Sequence, residues 1–283
     1  MDAVISWVFL AFGQTPPDSW SERCSAAVAD KISYVLSNFQ GIEHADSFAA
    51  DFHKTGFCPY AAGVFVVKST EFLAGLPVDG NAPKETLCWG ESEINRQTME
   101  NSRSSMGIAA IWISLRRLGL SGLREYVLYQ MEVCEEIKTK LRSSYSDHFE
   151  VLSSPSCGWE IIVKPHFGSK IPWEELQQSS QEIQDEYAQT CQRFLHHLWF
   201  GDISEEKPAF PFIGFVKKYS RKGDEEKALP AFLIHPSSLH YDDEAISELL
   251  EGCLLAKTSF GASLASRCSD SNDAFLEQLV PPR

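Results

Sequence analysis

The sequence predicts an α/β fold for its first part, followed by a smaller α+β unit. Apolar residues recur at helical spacing in Ser21 to Asn38, again through Met106, Ile111, Leu115 and Leu118, and again from Leu123 to Leu141. Short apolar runs bounded by turn residues lie between and after these segments. Helix and strand signals alternate up to about Tyr145, and the periodicity changes beyond it.

At the start, Val4 to Phe12 has two readings, a signal-peptide core or a buried strand or helix start. The segment carries Asp2 where a basic flank belongs and is too short to span a bilayer, so the buried element is preferred. Thr15-Pro16-Pro17-Asp18 reads as a turn, with Asp18 or Ser19 capping the helix that follows. A strand, a polar turn around Lys54 and a second strand over Gly63 to Val67 come next. Gly75 to Gly90 reads as a long loop. Glu100-Asn101-Ser102 caps a helix that Gly119 stops, and Leu123 begins another. Later strands are expected at Phe149 to Leu152, Trp159 to Val163, Phe210 to Val216 and Ala231 to Ile234. Helices are expected from Trp173 to Trp199 and from Asp242 to Thr258, with acidic residues at the favourable end of the second. The polar stretch from Ser266 to Asn272 is expected to be loosely ordered.

Composition narrows the function. The chain has 283 residues, 43% of them hydrophobic and 12% aromatic, enough for a packed core. A net charge of −14 argues against general affinity for nucleic acid or anionic membrane. The eight cysteines are dispersed and none forms a CxxC pair, which points to reduced thiols in a cytosolic protein and away from a zinc site.

The stretch from Ala45 to Tyr60 carries the chemistry. Lys54 stands among Phe52, Phe57 and Tyr60, and a lysine walled in by aromatics would be poorly placed to keep its charge. A neutral amine is a nucleophile towards an aldehyde, and pyridoxal 5′-phosphate (PLP) is such an aldehyde. Read without context, Lys54 is a solvated surface charge, and Asp46 and Asp51 organise the turn. Cys58 reads as a small packed thiol. His196 and His197 are adjacent on a helix, so they face different directions.

His53-Lys54-Thr55-Gly56-Phe57-Cys58-Pro59-Tyr60, preceded by His44-Ala45-Asp46-Ser47, resembles the PLP-lysine signature of the group II amino-acid decarboxylases. Thr98 to Ser104 resembles that family's T-L-E-x-S-R-S stretch, and Asp2-Ala3-Val4-Ile5-Ser6-Trp7 its D-A-x-x-G-W segment. The resemblance is strongest over residues 41–125. It implies part of a fold-type I large domain over residues 1–125 and a small α+β domain over 126–283. It also implies a decarboxylase acting on a small-molecule amino acid as a cytoplasmic homodimer. Lys54 would hold PLP as a Schiff base, Asp2 would pair with the ring nitrogen, His53 would meet the cofactor phosphate or the substrate carboxylate, and Arg103 would complete the cofactor set.

The family's Gly/Ser phosphate turn and its ring-stacking histidine are expected before Met1, so the chain reads as the C-terminal part of a longer enzyme. A non-catalytic remnant is the alternative. The segment from Leu73 to Gln97, where the family places a proton-donating tyrosine, has Trp89 as its only large aromatic. That difference keeps oxidative deamination open beside simple decarboxylation.

Overall fold

The computed structural model describes residues 1–69, 105–152, 158–200, 213–220, 227–236 and 240–268. The chain divides into two compact units, Met1–Tyr129 and Gln130–Arg283.

In the first unit, Ser6–Phe12 winds into a 3-10 helix that buries Trp7, Val8, Phe9, Ala11 and Phe12. The N-terminal apolar run is therefore a buried helix. A single turn, α1 (Asp18–Ser21), precedes α2 (Ala26–Ser37). The helix foreseen from Ser21 starts later because Ser25 is extended, at φ −64° and ψ 155°, which separates the two. Neither Asp18 nor Ser19 caps α2; the Ser19 hydroxyl donates to the Pro16 carbonyl at 2.6 Å. Helix α2 buries Val28, Ile32 and Val35 at spacings of four and three, one stripe of an amphipathic helix. Trp20 lies edge-on to Phe12, with ring centroids 5.3 Å apart.

Strand β1 (Ser47–Asp51), the helical turn α3 (Phe52–Thr55) and strand β2 (Gly63–Val67) follow. The two strands pair antiparallel, with Ala49 opposite Phe65 and Asp51 opposite Gly63. The chain start runs along the free edge of β1 in parallel, with Asp2 opposite Ala49. The Ala3 N–H donates to the Ala49 carbonyl and the Ala49 N–H to the Met1 carbonyl, both at 3.0 Å. Helix α4 (Met106–Ser144) breaks at Gly119, whose φ of 61° and ψ of −174° are not helical. The stop foreseen at Gly119 is there: two helical stretches meet across a kink at that residue. Glycine supplies that positive φ without the Cβ penalty other residues incur. The long loop and the helix cap foreseen at Gly75–Gly90 and Glu100–Ser102 lie outside the described residues.

The second unit holds an antiparallel sheet in the order β3-β4-β6-β5. Its strands are β3 (Phe149–Val151), β4 (Ile161–Pro165), β5 (Gly214–Tyr219) and β6 (Leu229–Ile234). Its later helices are α5 (Trp173–Leu176), α6 (Gln181–Phe200) and α7 (Asp243–Cys268). Strand β5 runs on to Tyr219, and its foreseen start at Phe210 lies outside the described residues. The single helix foreseen from Trp173 is two, because Ser179 and Ser180 interrupt it and the Ser179 hydroxyl turns back to the Leu176 carbonyl at 2.7 Å. Helix α7 runs past Thr258 to Cys268, so Ser266 to Cys268 are helical and not a loose tail. Asp242 caps α7, its carboxylate accepting the Ala245 N–H at 2.9 Å. Ile162, Leu152, Trp173, Leu176, Leu229 and Ala231 form one core cluster. Phe194 of α6 meets Phe232 of β6 and Phe260 of α7, with centroids 5.2 and 5.3 Å away.

Every residue of β4 is buried, Lys164 included. Burial holds the Lys164 ammonium below its ordinary range, against the opposing pull of Glu150. His166, also buried, sits with Nδ1 3.1 Å from the Lys164 Nζ. Burial, and next the charge of Lys164, lower His166 to about 3. The unfolded chain therefore binds a proton that the folded chain refuses across this range. Stability from neutral His166 is fully present above about 6.5 and drains as pH falls towards about 3. Urea midpoints measured across that window should fall more steeply for the native chain than for His166→Gln. Parallel profiles would contradict this account of His166.

Candidate functional site

The polar turn around Lys54 is a helical turn set between two paired strands. Asp51 ends β1, and one turn of helix places Lys54 three residues on, facing it. The Lys54 Nζ lies 2.7 Å from Asp51 Oδ2, and the His53 Nε2 lies 3.6 Å from the same oxygen. The Ala62 N–H donates to His53 Nδ1 at 3.2 Å. That bond fixes neutral His53 as the Nε2–H tautomer, aimed towards the Asp51 carboxylate. The Tyr60 ring lies over His53, with centroids 4.2 Å apart.

The aromatic wall foreseen around Lys54 is not there. Phe57 and Tyr60 are 44% and 74% exposed, and the Lys54 side chain keeps 38% of its surface in solvent. The physical reason is the helical turn, which sends Phe52 inward against Trp7 and Lys54 outward to Asp51. Asp51 is thus the charged partner of Lys54, a role beyond the turn-organising one foreseen for it.

What holds the turn is packing beneath it. The Phe52 and Trp7 ring centroids are 3.9 Å apart. The Trp7 indole N–H donates to the Asp51 carbonyl at 3.3 Å, and the Thr55 hydroxyl to the Ile5 carbonyl at 3.1 Å. The buried Ser114 hydroxyl of α4 donates to the Gly56 carbonyl at 2.6 Å. Phe57 is left-handed at φ 57°, an uncommon state for a bulky residue, and its ring sits 4.2 Å from that of Tyr126. Cys58 is buried with its thiol on the Gly56 carbonyl at 3.4 Å, and burial pushes that thiol up. It behaves as the packed thiol foreseen.

Asp2 sits on the segment that pairs with β1, so the backbone brings it to the strand adjoining the one that leads into Lys54. Its Oδ1 accepts the Val4 N–H at 3.1 Å. Among the described residues, no hydrogen bond or ion pair joins Asp2 to Lys54 or His53. Arg103 and the Leu73 to Gln97 segment lie outside the described residues. His197 Nε2 is 2.7 Å from the Ser259 hydroxyl.

Sequence reasoning missed Ser114, Trp7 and Tyr126 as supports of this turn, and the pairing of Asp51 with Lys54. The Asp51–Lys54 spacing was a usable signal, but only for a helical turn.

The family profile described as "Pyridoxal-dependent decarboxylase conserved domain" matches residues 25–161, a span that includes Lys54. The chain resembles the pyridoxal-dependent decarboxylases. The cofactor of that family is pyridoxal phosphate. A probable L-aspartate decarboxylase of Pyrococcus abyssi is 27% identical over 122 residues, covering 41% of this chain and 30% of the relative. An aromatic-L-amino-acid decarboxylase of Bacillus atrophaeus is 23% identical over 146 residues, covering 50% of this chain and 27% of the relative. Mouse CSAD superposes with a TM-score of 0.54 at 12% identity, covering 83% of this chain and 45% of that one. Oryza sativa TDC, crystallised with PLP and tryptamine, gives 0.53 at 12% identity, covering 82% and 40%. These structures establish the decarboxylase-like fold. The chain spans less than a third of the length of these two sequence relatives and less than half of these two solved chains.

The turn's packing makes a direct prediction. A Cβ on Gly56 would stand 2.7 Å from a Phe52 ring carbon and 2.9 Å from both the Phe52 carbonyl and the Trp7 ring. Gly56→Ala should cost about 1–3 kcal/mol, typical of overpacking. Gly261→Ala, in a helix with nothing within 4 Å of the new methyl, should be neutral or stabilising by up to about 1 kcal/mol. Urea unfolding of both variants checks this, and equal stability of Gly56→Ala and the parent would refute the packing account.

Proposed function

We propose that this chain carries the cofactor-lysine part of a PLP-dependent amino-acid decarboxylase, with Lys54 bearing the cofactor. The observation that carries the reading is the position of Lys54. It is an accessible primary amine on a packed turn, inside the span that matches the decarboxylase family. We read residues 1–125 as the C-terminal part of the large domain and 126–283 as the small domain of a cytoplasmic homodimer.

The residues present fit the group. Lys54 offers the amine that would hold the cofactor's aldehyde carbon, with solvent on one side and the Asp51 carboxylate on the other. Asp2, on the segment beside β1, offers a carboxylate to the ring nitrogen, and Arg103 belongs to the same proposed set. When bound, PLP supplies a protonated ring that accepts the electron pair left as CO2 departs. Asp51 gives a charged nitrogen at Lys54 its counter-ion. His53, held by the Ala62 N–H, keeps its Nε2 on the carboxylate side, where it can meet an anionic group of cofactor or substrate. Trp7, Phe52 and Ser114 keep the turn from shifting, so the amine projects from a fixed point.

The short span relative to the sequence relatives favours a second reading, a cofactor-binding remnant without turnover. Incubation of the 283-residue chain with PLP, borohydride reduction and peptide mapping separates the outcomes. The proposal expects one cofactor mass on the Lys54 peptide, lost in Lys54→Ala, together with CO2 release from an amino acid such as aspartate or an aromatic one. Labelling spread over many lysines would overturn the assignment of Lys54. Labelling at Lys54 without CO2 supports the remnant, and oxygen uptake with ammonia release supports oxidative deamination.

A further inference from the structure

A cavity of about 180 Å³ lies entirely within the second unit, between the end of β4, the turn after it and one face of α6. A cavity of about 150 Å³ accepts benzene, so this one takes a molecule of that size with a short substituent. Ile171, Leu176 and Ile183 give it an apolar wall. The polar groups on the wall are mostly occupied. The Lys164 Nζ donates to the Ile171 carbonyl and lies 3.1 Å from His166 Nδ1 and 3.5 Å from Glu150 Oε2. The Tyr187 hydroxyl donates to the Pro230 carbonyl at 3.2 Å, and the Thr190 hydroxyl to the Glu186 carbonyl at 2.9 Å.

One buried polar atom on this wall has no partner among the described residues: Glu186 Oε1. Glu186 is only half-buried, but this oxygen is shielded from solvent, and a ligand that supplies a donor to it recovers part of its desolvation cost. The charges lead to the same class of ligand. Lys164 is balanced by Glu150, and His166 is neutral at ordinary pH, so the charge left uncompensated on the wall is the Glu186 carboxylate. Among the described residues, the charge that acts on it, Glu182, is of the same sign.

We infer that this cavity is a binding site for a small organic ammonium, with an apolar or aromatic body on Ile171, Leu176 and Ile183 and its N–H donors on Glu186 Oε1. The site is independent of the reading of Lys54.

The test uses benzylammonium as the probe, titrated by calorimetry into the cofactor-free 283-residue chain carrying Lys54→Ala, so that the amine has no aldehyde to meet. Saturable binding is expected with a dissociation constant on the order of a millimolar or tighter, as suits a ligand of this size. Glu186→Gln, which keeps the shape, should weaken binding about tenfold or more, the scale of one charge-assisted hydrogen bond. Ile183→Trp, at a partly exposed position on the rim, should also weaken it by filling the mouth. Glu182→Gln should leave it within about twofold, since Glu182 does not line the cavity and acts only as a screened charge. No saturable binding, or equal affinity for benzylammonium and toluene, would overturn the proposal. So would unchanged binding in Glu186→Gln, or equal losses in Glu182→Gln and Glu186→Gln.

Discussion

The lysine turn depends on one close approach. Phe52, Gly56 and Trp7 meet where no side-chain carbon could be added at Gly56. That contact forces Phe52 inward, and the helical turn then has one direction left for Lys54, outward along the Asp51 carboxylate. Ser114 ties the far side of the turn to α4 through the Gly56 carbonyl. Phe57, held left-handed against Tyr126, carries the chain out of the turn towards β2. The strain at Phe57 and the exposure of Lys54 are two results of the same packing. A turn held this way presents an amine at a fixed point, which a cofactor lysine needs and a surface lysine does not.

Much of this was legible in the sequence, and the failures have physical causes. The strand, turn and strand around Lys54 could be read because apolar runs flank the polar His53-Lys54-Thr55, and Gly119 could be read as a break because glycine alone takes its φ freely. The surroundings of Lys54 could not. Aromatic neighbours in sequence suggested burial, but α3 sends successive side chains in different directions, so Phe52 is buried while Lys54 reaches solvent, and Tyr60, beyond the turn, is exposed as well. The extension of α7 past Thr258 was hidden by serines that lower helix propensity, and tertiary packing of Phe260 and Leu264 overrides them.

The second unit shows the same limit. Nothing in the sequence singles out Lys164 or Glu186. Only the fold brings Glu150 from β3 beside Lys164, wraps the turn after β4 over it and encloses an oxygen of Glu186. Charged groups buried this way are costly unless paired, and most of these are paired. The exception is what distinguishes the cavity from a packing defect.

The central claim is that Lys54 is a cofactor lysine held in a fixed, chiral setting. Visible circular dichroism of the chain titrated with PLP tests it most directly, because free PLP is achiral and PLP scattered on mobile surface lysines gives absorbance with little ellipticity. The account predicts a visible band that saturates at one equivalent and vanishes in Lys54→Ala. Absorbance that rises without such a band, or a band that survives Lys54→Ala, would contradict it.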